Sequence, residues 1–260
     1  MRISVVTPSY QQAPYLERTV RSVMGGGVDD VEHIVMDGGS TDGSVEILQR
    51  YPHLIWRSER DRGQTHAINK GLHLATGDIL CWLNSDDTYM PGALARVLQL
   101  FDAHPEIDFI HAHCFVVDEH DAIFDLAPAR PFPDHRLPDK QLFMSQPASF
   151  WRRRLWERVG DLDESYHYAM DFEYWLRIIL NGTTLCVPEV LANFRLIPGT
   201  KSHTAPDRLW VETKRAYFQH GGRRLSPFHL DILWKQYVPR VRTGLYSAYR
   251  MMRPRTSVEL

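Results

Sequence analysis

Over its first 115 residues the chain alternates short β-branched runs with stretches of helical periodicity, and this order restricts the fold more than any other feature. Ile3-Ser4-Val5-Val6-Thr7, ending at Pro8, reads as a buried strand. Pro14 to Met24 reads as a helix, with Tyr15, Leu16, Thr19, Val20 and Val23 on one face and Gly25-Gly26-Gly27 as its stop. The alternation continues through strands at 31–36, 54–57 and 79–83 and helices at 44–51, 64–75 and 91–103. Repeated strand–helix order predicts an α/β fold with a mainly parallel sheet flanked by helices. Ligands of such sheets sit beyond the carboxyl ends of the strands. The polar clusters Thr7-Pro8-Ser9, Asp37-Gly38 and Ser85-Asp86-Asp87 fall at those ends.

Beyond residue 105 the pattern loosens. Phe109 to Val117 reads as a strand turning at Glu119-His120-Asp121 toward Ala122-Ile123-Phe124. A proline-rich loop covers 128–138, an extended segment 143–151, a helix 171–180 and a strand 185–187. Residues 206–260 read as a C-terminal helical, basic segment appended to a domain spanning 1–205. Between Lys235 and Arg255 six basic residues run without an acid and are interleaved with Tyr237, Tyr246, Tyr249, Met251 and Met252. Such a segment is suited either to lie on anionic lipid or to pack as a solvated terminal helix.

The bulk numbers exclude several classes. Charged residues make up 24% and hydrophobic residues 43% of the 260, so wholesale disorder is not expected. A net charge of -2 gives no global field for nucleic acid. Cys81, Cys114 and Cys186 are odd in number and far apart, which supports neither a zinc ribbon nor a disulfide framework. The amino-terminal apolar run is too short for a signal peptide, and no stretch approaches a membrane span, so a cytoplasmic protein is expected.

Most catalytic motifs fail. Gly38 to Ser44 lacks the lysine of a phosphate loop, and no dinucleotide fingerprint follows the first strand. No nucleophile elbow occurs. In the His111-Ala112-His113-Cys114 run the two histidines share one strand face and the cysteine points away, a poor metal set. Asp86-Asp87, directly after an apolar strand, is different. Adjacent carboxylates repel and favour a bound cation, and their oxygens suit magnesium or manganese, ions that commonly bridge to diphosphate. A plain turn or helix start is the competing reading.

Several segments in order resemble glycosyltransferase family 2, the inverting group with a GT-A fold. They are Val5-Val6-Thr7-Pro8-Ser9-Tyr10; His33 through Ser44; Asp61-Arg62-Gly63-Gln64 with Ala67-Ile68-Asn69-Lys70-Gly71; Ala75-Thr76-Gly77-Asp78 with Leu83-Asn84-Ser85-Asp86-Asp87; and Met170 through Arg177. The resemblance covers roughly residues 1–205. It implies a nucleotide-sugar donor, UDP- or dTDP-linked, held by Thr7, Ser9 and Asp37. Asp86 would contact ribose or metal, and Asp87 would be the main ligand of Mn2+ or Mg2+. His203 would complete the metal shell, with a surface-loop role as the alternative. Asn84 replaces the first acid of the D-x-D triplet found in many relatives, which leaves fewer acids for the ion.

By the same resemblance Asp171 would be the base that takes the acceptor's proton, with Glu173 in reserve and helix capping as the plainer role for Asp171. Arg62 or Lys201 would help the departing diphosphate. Trp151 and Gln146 would meet a sugar, unless the tryptophan belongs to the core. The expected activity is metal-dependent transfer to a glycan or lipid-linked acceptor, at the inner face of a membrane if 235–255 touches one. A nucleotidyltransferase would need a basic glycine-rich loop that the first strand lacks. A non-catalytic relative would not need the retained Asp86, Asp87 and Asp171.

Overall fold

The computed structural model describes residues 1–132, 135–137, 144–197 and 206–237. Its sheet runs β3 (Ile55–Ser58), β2 (Val31–Asp37), β1 (Ile3–Ser9), β4 (Ile79–Trp82), β8 (Ser149–Arg152), β6 (Phe109–Val117), β9 (Thr184–Arg195) and β5 (Thr88–Tyr89), with β7 (Ile123–Ala127) paired to β6. The β3-β2-β1-β4 half is parallel, as the alternation predicts. Beyond it the sheet is mixed: β8 is antiparallel to both β4 and β6, and β9 is parallel to β6.

Every residue of β1 is buried, as a central strand covered on both faces requires. Pro8 is tolerated because it lies beyond the last β1–β4 pair, Val6 with Trp82. Helices α1 (Ala13–Met24), α2 (Ser44–Gln49), α3 (Gln64–Leu74) and α4 (Ala93–Ala103) follow β1, β2, β3 and β5. α3 lies so close on β1 that a Cβ at Gly71 would stand 2.3 Å from Val6 Cγ1. Helices α5 (Arg153–Val159) and α6 (Met170–Asn181) follow β8, and the sheet meets α6 through aromatic rings. Trp82 stacks on Trp175 at 5.2 Å and 9°, and Trp151 meets Tyr174 edge-on. Trp151 is thus a core residue, with no exposed surface for a sugar.

Two helices close the described chain, α7 (Pro206–Gln219) and α8 (Pro227–Tyr237). Both pack toward α6: Ala216 joins the main core, and Phe228 stacks on Phe172 at 5.7 Å. None of the described helices is long and apolar enough to cross a membrane. Of the basic segment expected at 235–255, residues 238–255 lie outside the described residues, as do the side chains of 235–237.

Three elements depart from the sequence reading. β5 and α5 are new, and β9 runs on to Arg195 rather than ending at Val187. Pro188 is what makes the strand appear to stop. The sheet absorbs it as a bulge: Ala112 pairs with Val187, whereas the next residue, His113, pairs with Val190. The His111–Cys114 run lies inside this pairing. His111 is fully buried, between Phe109 and Phe132, and burial lowers its pKa to about 4.

Candidate active site

A cleft of about 500 Å³ opens beyond the carboxyl ends of β1 and β4. This is the size of a small-molecule site. Ser9 and Tyr10 line it at the end of β1, Gly63 and Gln64 at the entry to α3, together with Asp86 and Arg195. Gly63 precedes α3 at φ +120°, a conformation that favours glycine.

The acidic loop after β4 is held from three directions. The Thr19 hydroxyl donates toward the carbonyls of Ser85 and Asp87, at 2.9 and 2.8 Å. An amide chain runs from Gln64 to Asn84 to Gln146, whose own Nε2 donates to the Trp82 carbonyl at 2.7 Å. Gln146 therefore braces the loop. Arg195 is the third hold. Its backbone N–H donates to Asp87 Oδ1 at 2.8 Å, and its Nε donates to the Asp86 carbonyl at 2.8 Å. Its remaining nitrogens reach the Asp118 carbonyl, at 2.6 Å, and the Asp121 carboxylate. Sequence reasoning missed Arg195 because it lies past Pro188. Its signal was a lone arginine closing an apolar run.

The two acids of the loop have different surroundings. Asp86 lines the cleft. Asp87, expected as the main metal ligand, is 1% exposed, and its carboxylate takes hydrogen bonds from Arg195 and, at 3.2 Å, from Asn84. Burial raises the pKa of Asp86, opposed by Arg195. Asp87 is raised well above the usual range by burial and then by the charge of Asp86. The pair is short of positive charge, which suits a divalent cation. Among the described residues no three His, Cys, Asp or Glu side chains converge as a ligand set. Of the pair, Asp86 is the carboxylate that lines the cleft and could hold such an ion. His203 and Lys201 lie outside the described residues.

The remaining expected site residues divide. Ser9 lines the cleft, and its buried hydroxyl has no hydrogen-bond partner. Thr7 points into the sheet instead, where its hydroxyl meets His33 Nε2 at 2.9 Å. Asp37 is 2% exposed and organises its own turn. Its carboxylate accepts from the Gly39 and Ser40 N–H groups and from the hydroxyls of Ser40 and Ser58. Oδ1 carries only one of those bonds and keeps acceptor capacity. Arg62 forks onto Glu164 at 3.0 and 2.9 Å, beside the cleft, whereas its neighbour Asp61 lines the cleft.

Asp171 occupies the first turn of α6, two residues past its N-cap Ala169. Its Oδ1 accepts from the Phe172 N–H at 2.7 Å, and burial raises its pKa. Asp171 is not among the residues that line the cleft, but its helix start abuts the start of α3: Thr65 reaches Met170 Sδ at 2.9 Å. Glu173 is engaged elsewhere. It is 2% exposed, forks onto Arg177 at 2.9 and 2.8 Å and meets His220 at 2.9 Å.

The family described as Glycosyl transferase family 2 matches residues 4–160. An uncharacterized glycosyltransferase of Mycobacterium tuberculosis is 31% identical over 238 residues, covering 88% of this chain and 89% of the relative. Among solved structures, residues 1–349 of Staphylococcus aureus TarS in complex with UDP-GlcNAc superpose with a TM-score of 0.68 at 17% identity, covering 95% of this chain and 76% of that one. Against the longer TarS chain the coverage is 45% of its length. The mannosyltransferase PcManGT of Pyrobaculum calidifontis, in complex with GDP-Man and Mn2+, superposes with a TM-score of 0.63 at 17% identity, covering 97% and 76%. These structural neighbours share the GT-A fold.

Proposed function

The chain belongs to glycosyl transferase family 2, and from that premise we propose that it moves a sugar from a UDP- or dTDP-sugar to a hydroxyl of a glycan or lipid-linked acceptor, with inversion at the anomeric carbon. The observation that carries this reading is the placement of Asp86 on the wall of the cleft, on a loop braced by Thr19, Asn84 and Arg195.

In this reading Ser9 and Asp37 hold the nucleoside, Ser9 through its unpartnered hydroxyl and Asp37 through Oδ1. Thr7 supports them from inside the sheet through His33. Asp86 takes the role first expected of Asp87: it would hold a manganese or magnesium ion, whose contribution when bound is to offset the negative charge growing on the departing diphosphate. Asp87 keeps the loop in place. Asp171 takes the acceptor proton as the new bond forms, and the raised pKa set by burial makes it a stronger base than an ordinary carboxylate. Arg62 reaches the diphosphate only by releasing Glu164.

Calorimetric titration with UDP, with and without manganese, tests the donor site. Metal-dependent binding by the wild type that disappears in Asp86→Ala and persists in Asp171→Asn supports the assignment. No binding of UDP or dTDP under either condition overturns the choice of base, and equal binding by Asp86→Ala overturns the role of that carboxylate.

A further inference from the structure

The outer face of α8 is apolar and has no partner among the described residues. Leu230 and Trp234, one turn apart on that face, are 48% and 60% exposed. Phe228 and Ile232 turn inward, at 2% and 0%. In the turn before the helix, Leu225 is 74% exposed and holds a left-handed backbone at φ +62°. A leucine in that conformation is uncommon. Arg223 and Arg224, both exposed, precede it directly. From Arg223 to the end of the sequence there are eight basic residues and two acids.

We propose that this face, made by Leu225, Leu230 and Trp234 with Arg223 and Arg224 at its edge, seats the protein on a bilayer bearing anionic headgroups. The chemistry of the patch selects that occupant. A tryptophan and two leucines beside arginines match the boundary between acyl chains and charged headgroups. A second copy on the same face would bring two pairs of arginines together, and like charges in apposition disfavour association. The chain's own continuation carries Arg240, Arg242, Arg250, Arg253 and Arg255, so folding it over the face would meet the same repulsion. Anionic lipid meets the arginines with opposite charge.

The position of the helix gives the seating a consequence. Phe228 stacks on Phe172, the residue after Asp171, so the proposed docking face is one helix away from the proposed base. A lipid-linked acceptor would be delivered beside Asp171. That consequence rests on the transfer reading above, whereas binding to vesicles does not.

Sedimentation of the full chain with vesicles of phosphatidylcholine alone, or mixed with phosphatidylglycerol, separates these possibilities. The expected result is retention by the mixed vesicles only, weakened by salt. Loss of retention should be about fivefold for each arginine removed in Arg223→Gln and Arg224→Gln, and roughly tenfold in the double variant Leu230→Ser with Trp234→Ser. Unchanged UDP binding and circular dichroism would certify that these surface variants are folded. Three results overturn the proposal: no retention of the wild type, retention that the Leu230/Trp234 variant leaves intact, or a wild-type dimer in sedimentation equilibrium that this variant dissociates. Retention without transfer to any acceptor would sink the catalytic reading and leave the docking face standing.

Discussion

A single arginine at the end of β9 ties the acidic loop to the turn between β6 and β7. Arg195 is buried, yet it joins Asp86 and Asp87 to the β6–β7 turn through Asp118 and Asp121. Removing its guanidinium strands the Asp86 and Asp118 carbonyls it serves, while the backbone bond to Asp87 survives and the half-exposed Asp121 carboxylate keeps Arg18. Each acceptor left without its donor costs about 1–3 kcal/mol. Arg195→Met is therefore expected to lower the denaturation midpoint sharply. Arg195→Lys, which keeps charge but not the planar fork, should recover only part of the loss. Equal stability of wild type and Arg195→Met in urea would show that the loop stands without it. At Asp171 the expected outcome is kinetic. Asp171→Asn should lower turnover by about 10²–10⁴ with UDP affinity unchanged. Because burial raises this carboxyl's pKa, the base is protonated, and kcat falls, at a higher pH than for an ordinary aspartate as the medium is acidified. A kcat that stays flat down to the ordinary carboxylate range would remove Asp171 from the base role.

At the scale of elements, the start of α6 is set by a helix distant in sequence. Glu212, on α7, places Oε2 at 3.0, 2.7 and 2.9 Å from the N–H groups of His167, Tyr168 and Ala169, just before the first turn of α6. A carboxylate there satisfies three backbone donors of the turn that leads into α6, the N-cap Ala169 among them, and meets the positive end of the helix dipole. Glu212→Gln is expected to cost about 1–2 kcal/mol and to lower kcat more than donor affinity, because Asp171 rides on that turn while the donor cleft lies across α3. A variant that weakens UDP binding and kcat in equal proportion would contradict this division. These links also mark how far the sequence could be read. The parallel half, with its helices and the three polar strand ends, followed from periodicity, because β1, β2 and β4 are buried on both faces and each connection is local. β9 was cut short by Pro188, since a bulge depends on the strand beside it and not on the sequence within it. Which of Asp86 and Asp87 lines the cleft was unreadable for a similar reason. Adjacent acids look alike in a sequence, and part of what holds Asp87 away from the cleft comes from Arg195, more than a hundred residues away. The hold of Glu212 on the turn before α6 and the engagement of Glu173 by His220 also join elements distant in sequence.

For the whole molecule, two histidines in different strands of the sheet make its stability a function of pH. His33, on β2, has one ring nitrogen on Thr7 and the other without a partner, and burial lowers its pKa to about 3. His111, on β6, has neither ring nitrogen bonded and is lowered by burial to about 4. In the unfolded chain both take protons near the ordinary 6.5, whereas the folded sheet refuses them. Below 6.5 the unfolded state therefore binds more protons, and folding stability falls as pH falls. At pH 5 each histidine accounts for about 2 kcal/mol of that loss, a large share of the 5–15 kcal/mol typical of a folded domain. Glu173, whose pKa is lowered because its bonds to His220 and Arg177 outweigh burial, weakens the fold only below its unfolded value of 4.5. The loss between pH 6.5 and 5 thus belongs to the imidazoles, and the carboxyls of Asp86, Asp87 and Asp171, raised by burial, act in the opposite direction. His111→Phe keeps the ring packed between Phe109 and Phe132 and removes the titration. Urea denaturation of both proteins at pH 7 and pH 5 should show the variant losing about 2 kcal/mol less over that interval than the wild type. If the two fall in parallel, the acid sensitivity arises elsewhere and the buried His111 is not its source.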